Sequence, residues 1–193
     1  MNITEKHPLQ PFLPADAELL MLGSFPPDRK RWSMEFFYPN FINDMWRIIG
    51  YVFFGDKERF VIPDRKAFDR RKIEEFLTER KIAMYDTAEE VLRLKDNASD
   101  KFLEIVRPTD MTAVLDRIPA CRAIVTTGQK ATETLCMQTG SHEPKTGECT
   151  EFEFMGRSMR HYRMPSSSRA YPMSVERKAE VYERMFRTEG IFH

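Results

Sequence analysis

Short apolar runs alternate with amphipathic stretches along most of this chain. Residues 19–22 form an uninterrupted apolar run that ends in Gly23-Ser24-Phe25-Pro26-Pro27, which reads as a buried strand entering a small-residue turn. Apolar residues at helical spacing (Phe41, Met45, Ile48 and Val52, widened by Ile42, Trp46 and Ile49) predict a well-buried helix over 41–53, closed by Gly55. Asn40 would cap it, which sets Asn43 in its first turn at the edge of the apolar arc and turns Asp44 to the outer face. An amphipathic helix is predicted over 65–80, with Phe68, Ile73, Phe76 and Leu77 inward. Residues 81–85 read as a second strand, and Asp86-Thr87 as the cap of a short helix over 87–94. Further helices are predicted over 97–106 and from Asp110 to a stop before Pro119. The β-branched run 122–127 is a third strand, and Gly128 turns it into a helix over 129–138. Residues 151–155 and 158–164 predict a hairpin whose second member joins the sheet, and Ser174 caps a closing helix that runs to Thr188. Residues 1–17, with three prolines, read as an irregular lead-in.

Strands alternating with helices predict an α/β fold, a three-layer α/β/α sandwich around a central, mostly parallel sheet of about four strands. With 193 residues and no repeat, low-complexity tract or linker, one domain over 1–193 is expected. Ligands of such sheets sit beyond the carboxyl ends of the strands, so the turns that follow them are where chemistry is expected.

Composition narrows the choice. Thirty basic and thirty acidic side chains cancel, so any contact with nucleic acid must come from a local patch rather than a global field. No apolar run approaches the roughly 18 residues of a membrane span, and the first residues hold no apolar signal core, so a cytoplasmic protein without membrane contact is expected. Cys121, Cys136 and Cys149 are an odd number without C-x-x-C spacing and read as ordinary thiols. His7, His142, His161 and His193 share no metal-ligand spacing with them, and no metal or cofactor is expected.

The turns carry the candidate chemistry. Aromatics crowd beside the first of them, which suits a flat ligand that stacks, as a nucleobase does. Phe37 and Tyr38 cannot both point inward from an extended segment, which frees one for stacking. Asn43 offers an amide at the start of a helix, either as a capping partner of Asn40 or as a group that orients water or bonds a carbonyl. Asp86 ends the second strand, as a cap or as an acceptor for a ligand N–H. Asp28 and Asp44 are charged neighbours of the first turn. Pro165, Ser166, Ser167, Ser168 and Arg169 form a polar loop ahead of a helix, a setting that suits phosphate oxygens. Arg157, Arg160, His161 and Arg163 are expected to extend its positive charge along one rim.

These segments also carry a resemblance. GSFPP followed by FFYPNFINDMW resembles the first motif of the uracil-DNA glycosylase superfamily, closest to its hypoxanthine-DNA glycosylase and mismatch-specific branches. Phe37-Tyr38 matches the motif's aromatic pair, Asn43 its asparagine and Trp46 its tryptophan. MYDTAEEVLR (84–93), TTGQKA (126–131) and MPSSSRAYP (164–172) resemble later motifs in the family's order, so the resemblance spans nearly the whole chain. It implies a monofunctional glycosylase that flips a deaminated base, uracil or hypoxanthine, out of DNA and hydrolyses its N-glycosidic bond, acting as a monomer and without a cofactor. The same likeness also admits a non-catalytic member that only binds nucleic acid or a nucleotide. On the catalytic reading Asn43 orients water, with Asp86, Asp28 or Asp44 as substitutes. Gly23, Ser24 and Pro26 wall the base, while Phe25, Phe37 or Tyr38 sandwiches it. Asp86 reads its edge, and residues 165–169 grip the DNA. The chain departs from the family three times. Phe25 stands where relatives keep Asp or Asn, Asp86 stands where the family often keeps a base-recognising Asn, and the 165–169 loop lacks their histidine.

Overall fold

A computed structural model of the protein describes residues 4–94 and 102–192. Its elements, in chain order, are β1 (Thr4–Lys6), β2 (Leu19–Gly23), α1 (Met45–Phe54), α2 (Arg70–Glu79), β3 (Ile82–Asp86), β4 (Ala88–Arg93), β5 (Leu103–Pro108), α3 (Met111–Asp116), β6 (Ala123–Thr127), α4 (Gln129–Thr139), β7 (Cys149–Phe154), β8 (Arg157–Met164) and α5 (Val175–Thr188). The main sheet has the order β3-β2-β6-β8-β7 and is parallel except for β7. β2, β3 and β6 are buried at every position, as strands covered on both faces are. α2 packs on β3, α4 on β6, and α5 on both β8 and α1. Among the described residues no helix is long and apolar enough to cross a membrane.

The α/β class agrees with the sequence pattern, and the strand count does not: the sheet has five strands rather than four. The extra strand is β7. Met155 and Gly156 both take positive φ (54° and 71°), the two-residue turn that matches the twist of paired strands, and it zips β7 to β8 from Phe154–Arg157 down to Cys149–Tyr162.

A second, three-stranded sheet, β1-β4-β5, was not expected at all. Residues 87–94, read as a helix, form β4, and the described part of the segment read as a helix over 97–106 forms β5; residues 97–101 lie outside the described residues. The cause is visible in the register. β4 carries irregularities between Ala88 and Glu90 and between Glu90 and Val91 against β5. Those bulges set Ala88 and Val91, three residues apart, on one buried face, a spacing that imitates a helix. Phe25 and Leu103 complete this small core, and tertiary packing overrides the helix propensity of AEEVLR. The lead-in is not irregular throughout either. β1 pairs with β4, and Phe12 bridges Met84 along the outer edge of β3.

Helix starts moved for local reasons. α1 begins at Met45 rather than near 41, because the asparagine side chains satisfy the backbone before a helix can: Asn40 Oδ1 accepts from Ile42 N–H (3.2 Å) and Asn43 Oδ1 from Met45 N–H (2.9 Å). Asn40 is therefore not the cap. α2 begins at Arg70 rather than 65, since Asp69 Oδ1 accepts from Lys72 N–H and residues 61–68 form a turn closed by the Val61–Phe68 bridge. Ser174 caps α5 as expected, and Asp110 caps α3.

His161 lies within β8, fully buried, rather than on a positively charged rim. Its Nε2 meets Thr126 Oγ1 at 2.8 Å and its Nδ1 meets Ser141 Oγ at 3.3 Å. Burial, with help from the Arg163 charge, depresses its pKa from the usual 6.5 to about 4. Between those values the unfolded chain binds a proton that the folded protein refuses, so stability is complete above pH 6.5 and falls as the pH drops toward 4. The loss attributable to His161 is expected to reach roughly 3 kcal/mol. Urea unfolding of the wild type and His161→Gln across pH 4–7 reads it as the extra pH slope of the wild type.

Candidate active site

Because β2, β3, β6 and β8 run parallel, their carboxyl ends share one edge; Gly23 is level with Asp86, and Thr127 with Met164. An open cleft of about 860 Å³ lies along this edge, within the rough 300–1,000 Å³ range of ligand sites. Residues 23–26, Tyr38, Asn43, Asp86 and the 165–169 loop all line it. Phe37 does not. It is 3% exposed and packs in the main core, while Tyr38 is the member of the pair that faces the cleft. Asp28 lies outside the cleft as well, beside a smaller hollow, where its carboxylate accepts from Lys30 N–H (2.9 Å).

The floor is built where β2 and β3 end. Thr87 N–H donates to Gly23 O and Ala88 N–H to Ser24 O, so the two strands stay side by side into their turns. A Cβ at position 23 would stand 2.5 Å from Asp86 Oδ1 and 3.2 Å from the Tyr38 hydroxyl oxygen, so any larger residue would displace the Asp86 carboxylate. Tyr38 takes φ 50°, a strained backbone for a bulky residue, and its hydroxyl meets Thr127 Oγ1 at 2.7 Å. Trp46 supports it with an edge contact at 6.3 Å and donates to Phe37 O (3.0 Å).

Asp86 is tied from below by a residue that sequence reasoning passed over. His7, 79 positions away, places Nε2 2.7 Å from Asp86 Oδ2. The imidazole side chain is 2% exposed and lies edge-on to Phe25 at 5.2 Å. Burial pushes the neighbouring Tyr85 phenol up to about 12, so that ring stays neutral. Phe25 has its back to the small sheet, is 8% exposed, and forms an apolar wall.

Asn43 spends its Oδ1 on Met45 N–H, and its amide Nδ2 donates no hydrogen bond within the described residues. The opposite wall is the 165–169 loop. Ser166 Oγ accepts from Ser168 N–H and Ser168 Oγ from Ala170 N–H, two local turns that leave the hydroxyl protons to point elsewhere.

Asp44 does not face solvent. It is 3% exposed and bonds Arg169 through Oδ1 (2.8 Å) and the fully buried Lys178 through Oδ2 (3.1 Å); its N–H donates to Ser167 O (2.9 Å). The helix of the sequence pattern began too early, which rotated Asp44 to the wrong side. The expected basic rim is also redrawn. Arg157 and Arg160 sit toward the opposite end of the sheet, bonded to Leu115 O and to Glu189. Arg163 and Arg169 do line the cleft, already paired with Glu143 and Asp44. Arg31 and Lys130 line it too and form no ion pair among the described residues. Nothing in their sequence surroundings marked them.

A solution NMR structure from Methanosarcina acetivorans, described as a "putative Uracil DNA glycosylase", shares this fold: the TM-score is 0.65 over 97% of this chain and 99% of that one, at 22% identity. At that identity the likeness is one of fold. No protein-family model matches the chain, and no curated protein matches it significantly.

Removing Asp44 strands a buried ammonium. Asp44→Ala is expected to cost about 3–5 kcal/mol, the range for breaking a buried ion pair from one side. Asp44→Leu combined with Lys178→Met should recover most of that loss. Urea midpoints of the single and double variants decide it.

Proposed function

We propose that the protein is a DNA glycosylase that hydrolyses the N-glycosidic bond of a flipped, deaminated base, uracil or hypoxanthine. The observation that carries this reading is the meeting in one cleft of the Phe25 and Tyr38 rings, the Asn43 amide and the Asp86 carboxylate, beneath a loop of serines. Aromatic and apolar walls suit a base taken out of its stack, and backbone and hydroxyl groups ahead of α5 suit the phosphates beside it. The end-to-end fold likeness supports the same reading.

In the reaction a water oxygen bonds to the sugar C1′ while the base departs with the bonding electrons and takes up a proton. Positive charge develops on the sugar and negative charge on the base. Asn43 Nδ2 holds the water or the base carbonyl, and Asp86 accepts an N–H from the base edge. Fixed dipoles at the strand ends stabilise the leaving base. Phe25 cannot take part in proton transfer, and that residue favours a second reading, a relative that binds a nucleotide without cleaving it. Base release from oligonucleotides carrying uracil or hypoxanthine separates the two: release establishes the first, and binding without release establishes the second.

Two outcomes are expected. Asn43→Ala lowers single-turnover base release by about 10- to 1,000-fold, the span lost when one polar catalytic contact is removed. Its folding stability drops by only about 1 kcal/mol, the worth of the turn bond to Met45 N–H. Release by the variant at the wild-type rate would clear Asn43 of the role. Lys130→Ala weakens DNA binding equally for damaged and undamaged duplex and reduces the log–log salt slope by about 0.9, one phosphate contact. An unchanged slope in a salt titration would remove Lys130 from the interface.

A further inference from the structure

The smaller hollow, about 330 Å³, shares the Phe25-Pro26-Pro27 segment with the cleft as a common wall. Along the chain that wall spans at most about 7 Å. The hollow's second aromatic ring is Trp32. Its indole N–H donates to Pro27 O at 2.7 Å, and the Arg29 guanidinium lies over the ring, 4.5 Å from its centroid. Arg29 is itself held by both carboxylate oxygens of Glu35 at 2.6 Å. The indole is therefore fixed at its edge and on one face. It stays partly exposed all the same, and no other aromatic ring packs against it among the described residues. The polar groups around it are already engaged. Arg93 donates to Pro26 O (3.2 Å) and holds Glu5 through both oxygens (2.9 and 3.0 Å), while Asp28 Oδ1 accepts from Lys30 N–H. What the hollow offers is proline surface, one immobilised aromatic ring and the Lys6 ammonium, which forms no ion pair among the described residues.

We propose that the hollow is a second nucleobase site, which takes the base next to the one in the cleft, stacked on Trp32, with Lys6 beside a phosphate of the same strand. A platform that accepts any base needs an aromatic face and a nearby cation, since every base has a π-face and every link a charge. A ring held rigid before the ligand arrives loses little freedom on binding. The shared wall names the occupant: a strand with one base in the cleft has its next base within reach across two prolines. A proline-rich peptide also lies on aromatic rings. Its backbone carbonyls need donors, however, and the indole N–H of this hollow is committed to Pro27 O. In a paired duplex the neighbouring base stays in its stack, and removing it costs a second unstacking. The two sites together therefore favour a lesion in single-stranded or locally unpaired DNA. The inference rests on the cleft's being a base site and deepens that reading by naming the strand state of the substrate.

The chain has two tryptophans, and Trp46 is fully buried, so quenching of the intrinsic fluorescence on binding reports Trp32. Wild type is titrated with single-stranded thymidine trinucleotides carrying uracil or hypoxanthine at the centre, and with the matching mononucleotides. The trinucleotides should quench at concentrations at least about tenfold lower, because the first base to bind tethers the second. Trp32→Leu should weaken trinucleotide binding, measured by calorimetry, by about 5- to 150-fold, the worth of one base–aromatic stack, and Trp32→Phe should restore most of it. Single-turnover base release by Trp32→Leu should fall further on single-stranded than on fully paired DNA; an equal fall on both marks a structural role and overturns the proposal. Should Trp32→Leu fail to fold, 5-iodouracil placed beside the lesion, which photocrosslinks to a ring stacked on it, carries the test in wild type. Attachment to Trp32 supports the site, and attachment elsewhere overturns it. Binding without quenching, unchanged affinity in Trp32→Leu, or quenching by a proline-rich peptide in preference to the trinucleotides also overturns it. Stacking on Trp32 without base release sinks the glycosylase reading and leaves this inference standing; base release with no change at Trp32 does the opposite.

Discussion

The buried carboxylate of Asp44 ties together the parts that make a site out of a sheet edge. It stands at the start of α1, where the helix dipole favours a negative charge, and receives Lys178 from α5 and Arg169 from the loop between β8 and α5. The partners lie 134 and 125 residues along the chain from it. Lys178 also donates to Ser168 O, and Tyr182, fully buried, donates to Pro165 O at 2.9 Å. The Asp44–Lys178 pair joins α1 to α5, and the other bonds pin the serine loop to these helices at a fixed height above the sheet. A loop of small polar residues would otherwise have many conformations, and one wall of the cleft would have none in particular. Buried ion pairs add little net stability, but they penalise mispairing heavily, and here that penalty fixes the position of the wall.

The opposite wall depends on how closely two strands and a tyrosine approach each other. Gly23 has no side chain because Asp86 and Tyr38 occupy the space a Cβ would need. Tyr38 accepts a left-handed backbone, and Trp46 and Thr127 hold it there. Strain at Tyr38 and the missing side chain at Gly23 are local costs concentrated at the cleft floor, whereas the strands below are regular and wholly buried. Strain of this kind persists only where the surrounding packing overdetermines it.

Much of this was legible in the sequence, and the failures have physical reasons. The buried strands showed as apolar runs, and since parallel strands must end on one edge, Gly23, Asp86, Tyr38, Asn43 and the 165–169 loop could be gathered in advance. Phe37 was drawn into the site because adjacent aromatics do not announce which of them turns inward. Asp44 was lost to a helix register that began too early: asparagine side chains at 40 and 43 capture backbone N–H groups that periodicity counts as helical. The small sheet was lost to bulges in β4 that space its apolar residues like a helix. His7 left no local signal at all. It reaches Asp86 because β1, three polar-looking residues long, pairs with β4, and Phe12 then bridges β3. A contact made through long-range pairing of so short a strand has no counterpart in nearby sequence.

That same small sheet explains how an apolar Phe25 fits a polar site. The ring is part of the core formed by Ala88, Val91 and Leu103, and its other face meets His7 edge-on. A carboxylate or amide at position 25 would be buried against that core with few partners, at a desolvation cost of about 1–3 kcal/mol or more. The carboxylate at this edge stands one strand over, at Asp86, where His7 supplies the partner that a buried carboxylate needs and Gly23 supplies the room. Sequence comparison at position 25 alone reads as the loss of a polar group. In three dimensions the second sheet brings a histidine from far along the chain to the same place, so that the polar pair His7–Asp86 stands directly beside Phe25.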